Sequence, residues 1–492
     1  MALKLYNTAS RSLEVFTPPP RLPEDTRGQA PYTVTMYNCG PTVYNYVHIG
    51  NLRAYVFADI LRRALEREGY VVKQIVNITD VGHLVADSDD GEDKMEIAIR
   101  REHRGVEEII AEYSDAFFTD MKSLNVHMAQ KFPRATAYIE EQRKMIEVLA
   151  RNGYTYVTSD GIYFDTEKFP AYPDFAKLDV AGMQAGNRVD MGEKKNSTDF
   201  AVWKFSPEDL PASAGTGEAG ERAGGKHREQ EWDSPLGELR KGFPGWHIEC
   251  SAIIKAELGD TIDIHTGGID HIPIHHTNEI AQSQSANGVP LARFWMHGAF
   301  MNIGGEKISK SLGNTFRLID LRERGVPPLA FRYWLLTAHY RTQVNFTWEA
   351  LAGAQSAYNK MTSAVYELPR ATDAASIKEY LDEFTLAIED DLNPASVIAL
   401  VWKLLKDGRY APGEKYNTIR IIDKVLGLEL GDIPAPRAFE IPPEVITLLA
   451  ARKKAREEND WALSDALRAE IKLLGYDVKD TGTGQTVTVS IN

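Results

Sequence analysis

One stretch near the amino terminus limits the possible folds more than any other: Cys39-Gly40-Pro41-Thr42-Val43, running on to His48-Ile49-Gly50-Asn51. It follows a strand-like run, Tyr32 to Asn38, and precedes a helix-like run, Leu52 to Gly69, so it reads as strand, glycine-bearing loop and helix start. The first backbone N–H groups of a helix lack partners within it, and the helix dipole adds positive charge there, so a triphosphate can settle without a dedicated cation. Gly50 lets the backbone approach closely. His48 and Asn51 stand three residues apart, about one helical turn, so both side chains can face one ligand. Taken alone, the same pattern also describes a plain strand-to-helix turn with a solvated histidine.

The remainder of the chain narrows that choice. At 492 residues it is too long for one hydrophobic core, and 43% apolar with 26% charged residues describes a globular protein of several domains. No run of 18 apolar residues occurs, and the opening Met-Ala-Leu-Lys-Leu-Tyr-Asn lacks the features of a signal peptide, so a cytoplasmic protein without a membrane partner is expected. The only two cysteines, Cys39 and Cys250, are far apart in sequence, which leaves metal ligation or simple burial as their uses. A net charge of −14 argues against coating nucleic acid through overall positive charge, although Arg452, Lys453, Lys454 and Arg456 form one local basic patch.

From about residue 31 to 130, strand-like and helix-like segments alternate as in a doubly wound parallel sheet, with Asn77-Ile78-Thr79-Asp80 at a second strand end. Residues 131–240 read as an insertion: a helix from Ala135 to Asn152, a hairpin from Tyr154 to Phe164, and a low-complexity tract, Pro211 to Gly225, expected to be a mobile surface loop with no catalytic part. The sheet is expected to resume after Gly245, with Cys250 at a strand end before a helix from Ser251 to Leu258. A strand at Thr261 to His265 and a helix from near Ile274 follow, then a strand at Arg293 to Met296 and a loop at Lys307 to Asn314. The predicted domains are therefore 1–130 and 241–317 for the two halves of a Rossmann-type unit, 131–240 for the insertion, 318–432 for a helical bundle, and 437–492 for a small tail. A Pro-rich break at Ile433 to Pro436 separates the last two.

Two further constellations carry chemistry. Cys39 and Cys250 at strand ends, with His275 and Glu279 four apart on one helical face, could close a tetrahedron around zinc. Lys307-Ile308-Ser309-Lys310-Ser311, a flexible basic segment flanked by glycines, could close over phosphates and neutralise charge on a pyrophosphate leaving group.

With these residues in view, the chain resembles the class I aminoacyl-tRNA synthetases, and among them the cysteinyl-tRNA synthetase family. His48-Ile49-Gly50-Asn51 matches the HIGH signature and Lys307-Ile308-Ser309-Lys310-Ser311 the KMSKS signature, with Asn51 for the last histidine and Ile308 for the methionine. Cys39 to Tyr44, Pro244 to Ser251 and His275 to Ser283 resemble segments particular to the cysteine enzymes, and Asp391-Leu392-Asn393-Pro394 and Asp460-Trp461 extend the likeness nearly end to end. The approach to Trp246, Arg240-Lys241-Gly242-Phe243-Pro244, is a few residues longer than the family's, with Phe243 where arginine is usual.

The resemblance implies an α/β class I synthetase catalytic domain of Rossmann type with a connective insertion, followed by an α-helical bundle and a small anticodon-binding domain. It implies ligation of L-cysteine to tRNA-Cys through a cysteinyl-adenylate. Zinc on Cys39, Cys250, His275 and Glu279 would recognise the substrate thiolate, and ATP would enter with Mg²⁺. His48, Asn51, Lys307 and Lys310 are implied as catalytic, with Gly50 and Asp270 beside ATP. Thr79, Trp246 and His265 are implied around cysteine, and Arg456, Trp461, Asp465 and Asp480 at the anticodon. A monomer is expected. Two rival readings are a cysteine:amino-sugar ligase of mycothiol synthesis, which shares both signatures but has no anticodon-reading tail, and a non-catalytic tRNA-binding paralogue.

Overall fold

The structure, a computed structural model, describes residues 2–17, 32–81, 94–178, 193–206, 230–309, 313–371, 373–431, 442–474, 476–481 and 484–489. The tract at 211–225, Lys310 and the Pro-rich break at 433–436 lie outside them. The chain divides into two compact units. The first holds Met1–Met301, His339–Val344 and Leu386–Asn393; the second holds Asn302–Ala338, Asn345–Thr385 and Pro394–Asn492. Among the described residues, no helix is long and apolar enough to cross a membrane.

Four parallel strands form the centre of the first unit, in the spatial order Ala292–Gly298, Ile262–Gly268, Thr33–Asn38, Val71–Val76. Their inner residues are buried on both faces, the condition under which a parallel strand reads as a nearly unbroken apolar run. The helix Ile49–Arg67 connects Thr33–Asn38 to Val71–Val76, and the later strand Ile262–Gly268 pairs on the other side of Thr33–Asn38. Chain direction therefore switches sides at Thr33–Asn38, and in sheets of this kind the crevice beyond the strand ends at such a switch is where ligands lodge. Tyr37 stands beside His265 and Asn38 beside Thr266 at that edge.

The loop after Asn38 is held against the next strand end. The N–H of Gly40 donates to Asn77 Oδ1 at 2.7 Å, Val43 N–H donates to the Thr79 carbonyl at 3.0 Å, and Thr79 N–H donates to the Pro41 carbonyl at 3.0 Å. A Cβ on Gly40 would lie 1.5 Å from the carbonyl oxygen of Asn77, so only glycine fits. The outer edge of the sheet is covered by the amino-terminal hairpin, Lys4–Asn7 with Ser12–Val15. Asn7 accepts the N–H of Trp295 at 3.1 Å, and Thr8 N–H donates to the Trp295 carbonyl at 2.8 Å, so the edge is not left open.

The expected hairpin is the start of a five-stranded antiparallel sheet, in the order Thr155–Val157, Gly161–Phe164, Phe200–Phe205, Lys241–Pro244, Trp232–Asp233. Helix Ile139–Arg151 packs on it through Met145, Ile146 and Leu149, against Phe164, Phe200, Val202 and Trp203. Here the structure corrects the sequence reading. The strand next to Gly245 belongs to this antiparallel sheet, and Cys250 sits in the first turn of a helix, Ile248–Leu258, rather than at a strand end. The helix expected from Ser251 begins earlier, at Ile248: Ile248 to Ile254 are all buried, so its first two turns show no polar face by which periodicity could place the start.

In the second unit, helices Pro328–Leu336, Trp348–Tyr366, Pro394–Lys406 and Pro412–Leu426 bury an apolar core including Phe331, Leu351, Met361, Val401 and Ile422. The helical run expected from Leu318 is interrupted by a short strand, Val344–Phe346. Toward the carboxyl end, helices Pro443–Glu457 and Trp461–Leu473 and the hairpin Tyr476–Thr481/Gly484–Val489 share a small core of Val445, Ile471 and Val478.

The contact at Gly40 gives a stability test. Gly40→Ala must displace the Asn77 carbonyl, and we expect it to destabilise the protein by about 1–3 kcal/mol or more, read as a lowered thermal midpoint. An unchanged midpoint would refute the packing described.

Candidate active site and metal centre

His48 is the N-cap of helix Ile49–Arg67. Its Nδ1 accepts the N–H of Asn51 at 3.2 Å, while Asn51 Oδ1 accepts the N–H of His48 at 3.1 Å. The pair forms a reciprocal capping box. An Nδ1 that accepts leaves the proton of the neutral ring on Nε2, so the box sets the tautomer as well as the ring's direction. Outside the box, His48 Nε2–H and the Asn51 amide N–H₂ are donors that stand with the backbone N–H groups of Ile49 and Gly50 in the first helical turn.

The four expected metal donors come together. Cys39 leaves the end of the strand Thr33–Asn38, Cys250 enters from the insertion side, and His275 and Glu279 come from one helical face. That face spans a wide turn, Ile272–His276, leading into helix Thr277–Asn287. One ligand atom from each of the four lies within 4.8 Å of the others. His275 Nε2 stands 2.9 Å from Glu279 Oε1, and Cys39 Sγ stands 3.7 Å from the same oxygen. Both cysteines are free thiols. Two sulfurs, an imidazole and a carboxylate in this spacing fit a tetrahedral zinc-type ion.

The supporting layer escaped the sequence reading. His247 Nδ1 lies 2.6 Å from His275 Nδ1 and so turns the other nitrogen of His275 toward Glu279. His247 is held at φ 84°, a left-handed conformation unusual for this residue type. His276 Nε2 lies 3.4 Å from Cys39 Sγ, its Nδ1 lies 2.7 Å from His297 Nε2, and His297 Nδ1 lies 2.7 Å from Thr8 Oγ1. Cys39, His265, His276 and Glu279 form a second, overlapping set of donors with the same spacing. The sequence signal for this layer was the doubled His275-His276 and the histidines that follow Trp246 and Met296, but side-chain direction across the sheet cannot be read from spacing. Gly267 accommodates the crowd, because a Cβ there would lie 2.7 Å from the His276 ring and 2.8 Å from His271 Nδ1.

Glu279 is fully buried, which by itself would raise its pKa, but the charges and hydrogen bonds of His265 and His275 outweigh burial and hold it below the usual carboxylate range. His275 is the converse case: burial pulls it down, and Glu279 and Cys250 push it well above an ordinary histidine. Burial lowers His276, helped by the surrounding histidines, and lowers His271 to about 4. The thiol of Cys39 is raised by desolvation, with Cys250 and Glu279 adding to it.

Other expected residues fall as follows. Trp246 is half-buried, 5.6 Å from the His275 ring between centroids. Thr79 is buried, and its hydroxyl accepts from Asn77 at 2.9 Å. His265 lies flat on Trp295, with Nε2 2.9 Å from Glu279 Oε2, so it supports a ligand from behind. Asp270 is exposed and folds its carboxylate over Gly268. In the second unit, Lys307 is exposed on a short strand paired with Asn302, and Asn314 closes the loop by donating to the Lys307 carbonyl at 3.1 Å and accepting from Ser309 N–H at 2.8 Å. In the tail, Arg456 lies 5.3 Å from the ring of Trp461, itself 55% exposed, and 3.2 Å from Asp480. Buried Arg452 donates to both oxygens of Asp480, while Asp465 is exposed one turn beyond Trp461.

Residues 27–356 match the family described as tRNA synthetases class I (C) catalytic domain, and residues 439–487 match the cysteinyl-tRNA ligase anticodon binding domain. The chain is 46% identical over 487 residues to cysteine–tRNA ligase 1 of Burkholderia lata, covering 99% of this chain and 96% of that one. It is 39% identical to the cysteine–tRNA ligase of Novosphingobium aromaticivorans, covering 97% and 95%. Among solved structures, Mycobacterium tuberculosis methionyl-tRNA synthetase in complex with methionyl-adenylate aligns with a TM-score of 0.53 at 15% identity, covering 81% of this chain and 90% of that one, a likeness of fold.

The protonation pattern fixes how this centre responds to pH. A metal ion needs Cys39 and Cys250 as thiolates and His275 as neutral imidazole, and Cys39 and His275 hold their protons above the ordinary range. Metal affinity of the stripped protein should therefore fall as pH falls from 8 to 6. Calorimetric titration in buffers of differing ionisation heat should find about three protons released per ion near neutral pH, one from each thiol and one from His275. Affinity independent of pH would contradict this assignment.

Proposed function

Because this chain belongs to the cysteinyl-tRNA synthetase family of class I aminoacyl-tRNA synthetases, and so joins cysteine to tRNA at the expense of ATP, we propose that Cys39, Cys250, His275 and Glu279 hold a zinc ion that selects the amino acid by its sulfur. The observation that carries this reading is the meeting of four donors from three separate stretches of chain within 4.8 Å. When bound, zinc supplies a soft acceptor that takes a thiolate in preference to the hydroxyl of serine, a distinction that a difference in pocket size alone could not make.

The chain's own residues do the remaining work. His265 and His247 hold Glu279 and His275 in place, and Trp246 and Thr79 flank the amino acid. The carboxylate of cysteine attacks the α-phosphorus of ATP, forming cysteinyl-adenylate and releasing pyrophosphate with its Mg²⁺. His48 Nε2–H, the Asn51 amide and the helix N-terminus at Gly50 donate to the phosphates, and Asp270 meets the substrate's ammonium or the ribose. Lys310, assisted by Lys307, neutralises charge as pyrophosphate departs. A hydroxyl of the terminal adenosine of tRNA-Cys then attacks the acyl carbonyl, and AMP leaves. At the anticodon, Trp461 offers a ring for stacking, Asp465 accepts from a base edge, and Asp480 holds Arg456 in reach of another. The match of residues 439–487 to an anticodon-binding domain favours tRNA over an amino sugar as acceptor. We place the enzyme in the cytoplasm as a monomer.

Metal analysis and pyrophosphate exchange test the centre together. Wild type should carry close to one zinc per chain and show cysteine-dependent ATP–pyrophosphate exchange, while Cys250→Ala should lose the metal and slow exchange by about 100-fold or more. Full exchange by a zinc-free Cys250→Ala protein would end the proposal. At the other end, Trp461→Ala should leave exchange unchanged and raise the KM for tRNA about tenfold, as expected for one lost stacking contact. An unaltered KM would remove Trp461 from the interface.

A further inference from the structure

Residues 169–178 form a strap that leaves the antiparallel sheet of the insertion and reaches the parallel sheet within the same compact unit. The turn before it, Thr166–Lys168, is fixed by Asp199, which accepts from Thr166 N–H at 2.9 Å and from Thr166 Oγ1 at 2.8 Å. The strap itself is tightly folded: Tyr172 N–H donates to the Phe169 carbonyl at 2.9 Å, and Leu178 N–H donates to the Pro173 carbonyl at 3.0 Å. Two of its side chains turn inward, into different cores. Tyr172 packs under the antiparallel sheet with Phe164 and Phe200, whereas Phe175 packs in the core of the parallel sheet with Tyr37 and Trp295.

Both side chains lead to Glu279. The Phe175 ring lies 5.1 Å from that of Trp295, on which His265 lies flat, and His265 Nε2 is the atom 2.9 Å from Glu279 Oε2. The Tyr172 hydroxyl donates to Asn278 Oδ1 at 2.6 Å, and Asn278, itself buried, stands between His275 and Glu279 in the chain. That junction needs an outside tie. Ile272–His276 is a turn of π-helix that passes into the α-helix Thr277–Asn287, and Pro273 within it has no N–H to give. A π turn is bonded across five residues instead of four, so slipping back to α-helical bonding would turn His275 about the axis relative to Glu279. Thr277 Oγ1 braces the turn from within by donating to the Ile272 carbonyl at 2.7 Å, and Tyr172 braces it from outside. Ring packing alone would account for a phenylalanine at 172. The hydroxyl adds a bond of fixed length and direction.

We propose that Tyr172 is a positioning residue for the metal centre: through Asn278 its hydroxyl pins the junction between the π turn and the helix, and so keeps His275 and Glu279 aimed at one ion. This inference rests on the reading of Cys39, Cys250, His275 and Glu279 as zinc ligands. Groups that orient metal ligands tune affinity and coordination geometry, so loosening this tie should be felt at the metal and at the amino acid, and not at ATP.

The test titrates full-length, metal-stripped protein with Zn²⁺ against a competing chelator, and with Co²⁺ read by its visible absorption, for wild type, Cys250→Ala, Tyr172→Phe and the double variant Tyr172→Phe/Asn278→Leu. Cys250→Ala should lose tight Zn²⁺ binding, and wild-type affinity there would sink the ligand reading and the inference with it. If that reading stands, Tyr172→Phe should weaken Zn²⁺ binding about tenfold, and in the zinc-loaded enzyme it should raise the KM for cysteine with the KM for ATP unchanged. It also leaves Asn278 Oδ1 without this donor and so lowers the thermal midpoint, whereas in the double variant two apolar groups meet and the midpoint recovers. Zn²⁺ binding that stays weak in the double variant upholds the inference. Affinity that follows the midpoint from variant to variant, or that Tyr172→Phe leaves at the wild-type value, shows that the tyrosine only packs the insertion onto the core, and overturns it. Should the double variant stay destabilised, the absorption of Tyr172→Phe at saturating Co²⁺ decides: a spectrum shifted from wild type upholds the inference, and an identical one overturns it.

Discussion

The carboxylate of Glu279 is the charge around which this active site is built. A fully buried carboxylate is tolerable only if cations or hydrogen-bond donors surround it, and here His265 and His275 do so from two sides. Each of those rings is held by another aromatic group: His265 by Trp295 and His275 by His247. The two cysteines complete a ring of donors that lie within 4.8 Å of one another. Orientation of the histidines and stability of this part of the fold therefore depend on the same few atoms.

The sheet delivers these atoms by topology. Because successive strands depart to opposite sides of Thr33–Asn38, the ends of that strand and of Ile262–Gly268 lie side by side with no crossover above them. Cys39 emerges from one end, and the Gly267-Gly268 turn leads from the other to His275 and Glu279. The insertion is more than an ornament on this plan, since its last strand, Lys241–Pro244, feeds directly into the helix that presents Cys250. At the start of helix Ile49–Arg67, the capping box of His48 and Asn51 shows why an amide can stand at the last position of the signature. The role visible there is to accept from the His48 N–H, and an asparagine oxygen does so directly.

Much of this was legible in the sequence, and the reasons differ by residue. His48, Asn51 and the two cysteines were conspicuous because few residue types suit a helix start beside phosphate or a soft metal, and His275 with Glu279 because four-residue spacing fixes one face. Cys250 was put on a strand because the first two turns of its helix are buried and give no periodic signal for where the helix starts. His247, His276 and His297 were missed because their role depends on which way side chains point across a sheet. Asp391 was read as part of the helical bundle, yet it belongs to the first unit, where it clasps Tyr340 and Arg341. That contact joins residues about fifty positions apart, and no local pattern announces it. Asp480, expected at a base edge, gives its oxygens to Arg452 and Arg456.

The most direct measurement of the central claim is X-ray absorption at the zinc edge, with and without L-cysteine. The account predicts two sulfur neighbours at about 2.3 Å in the free enzyme and a third when cysteine is added, with serine adding none. An unchanged sulfur count on adding cysteine, or a zinc environment without sulfur, would contradict it.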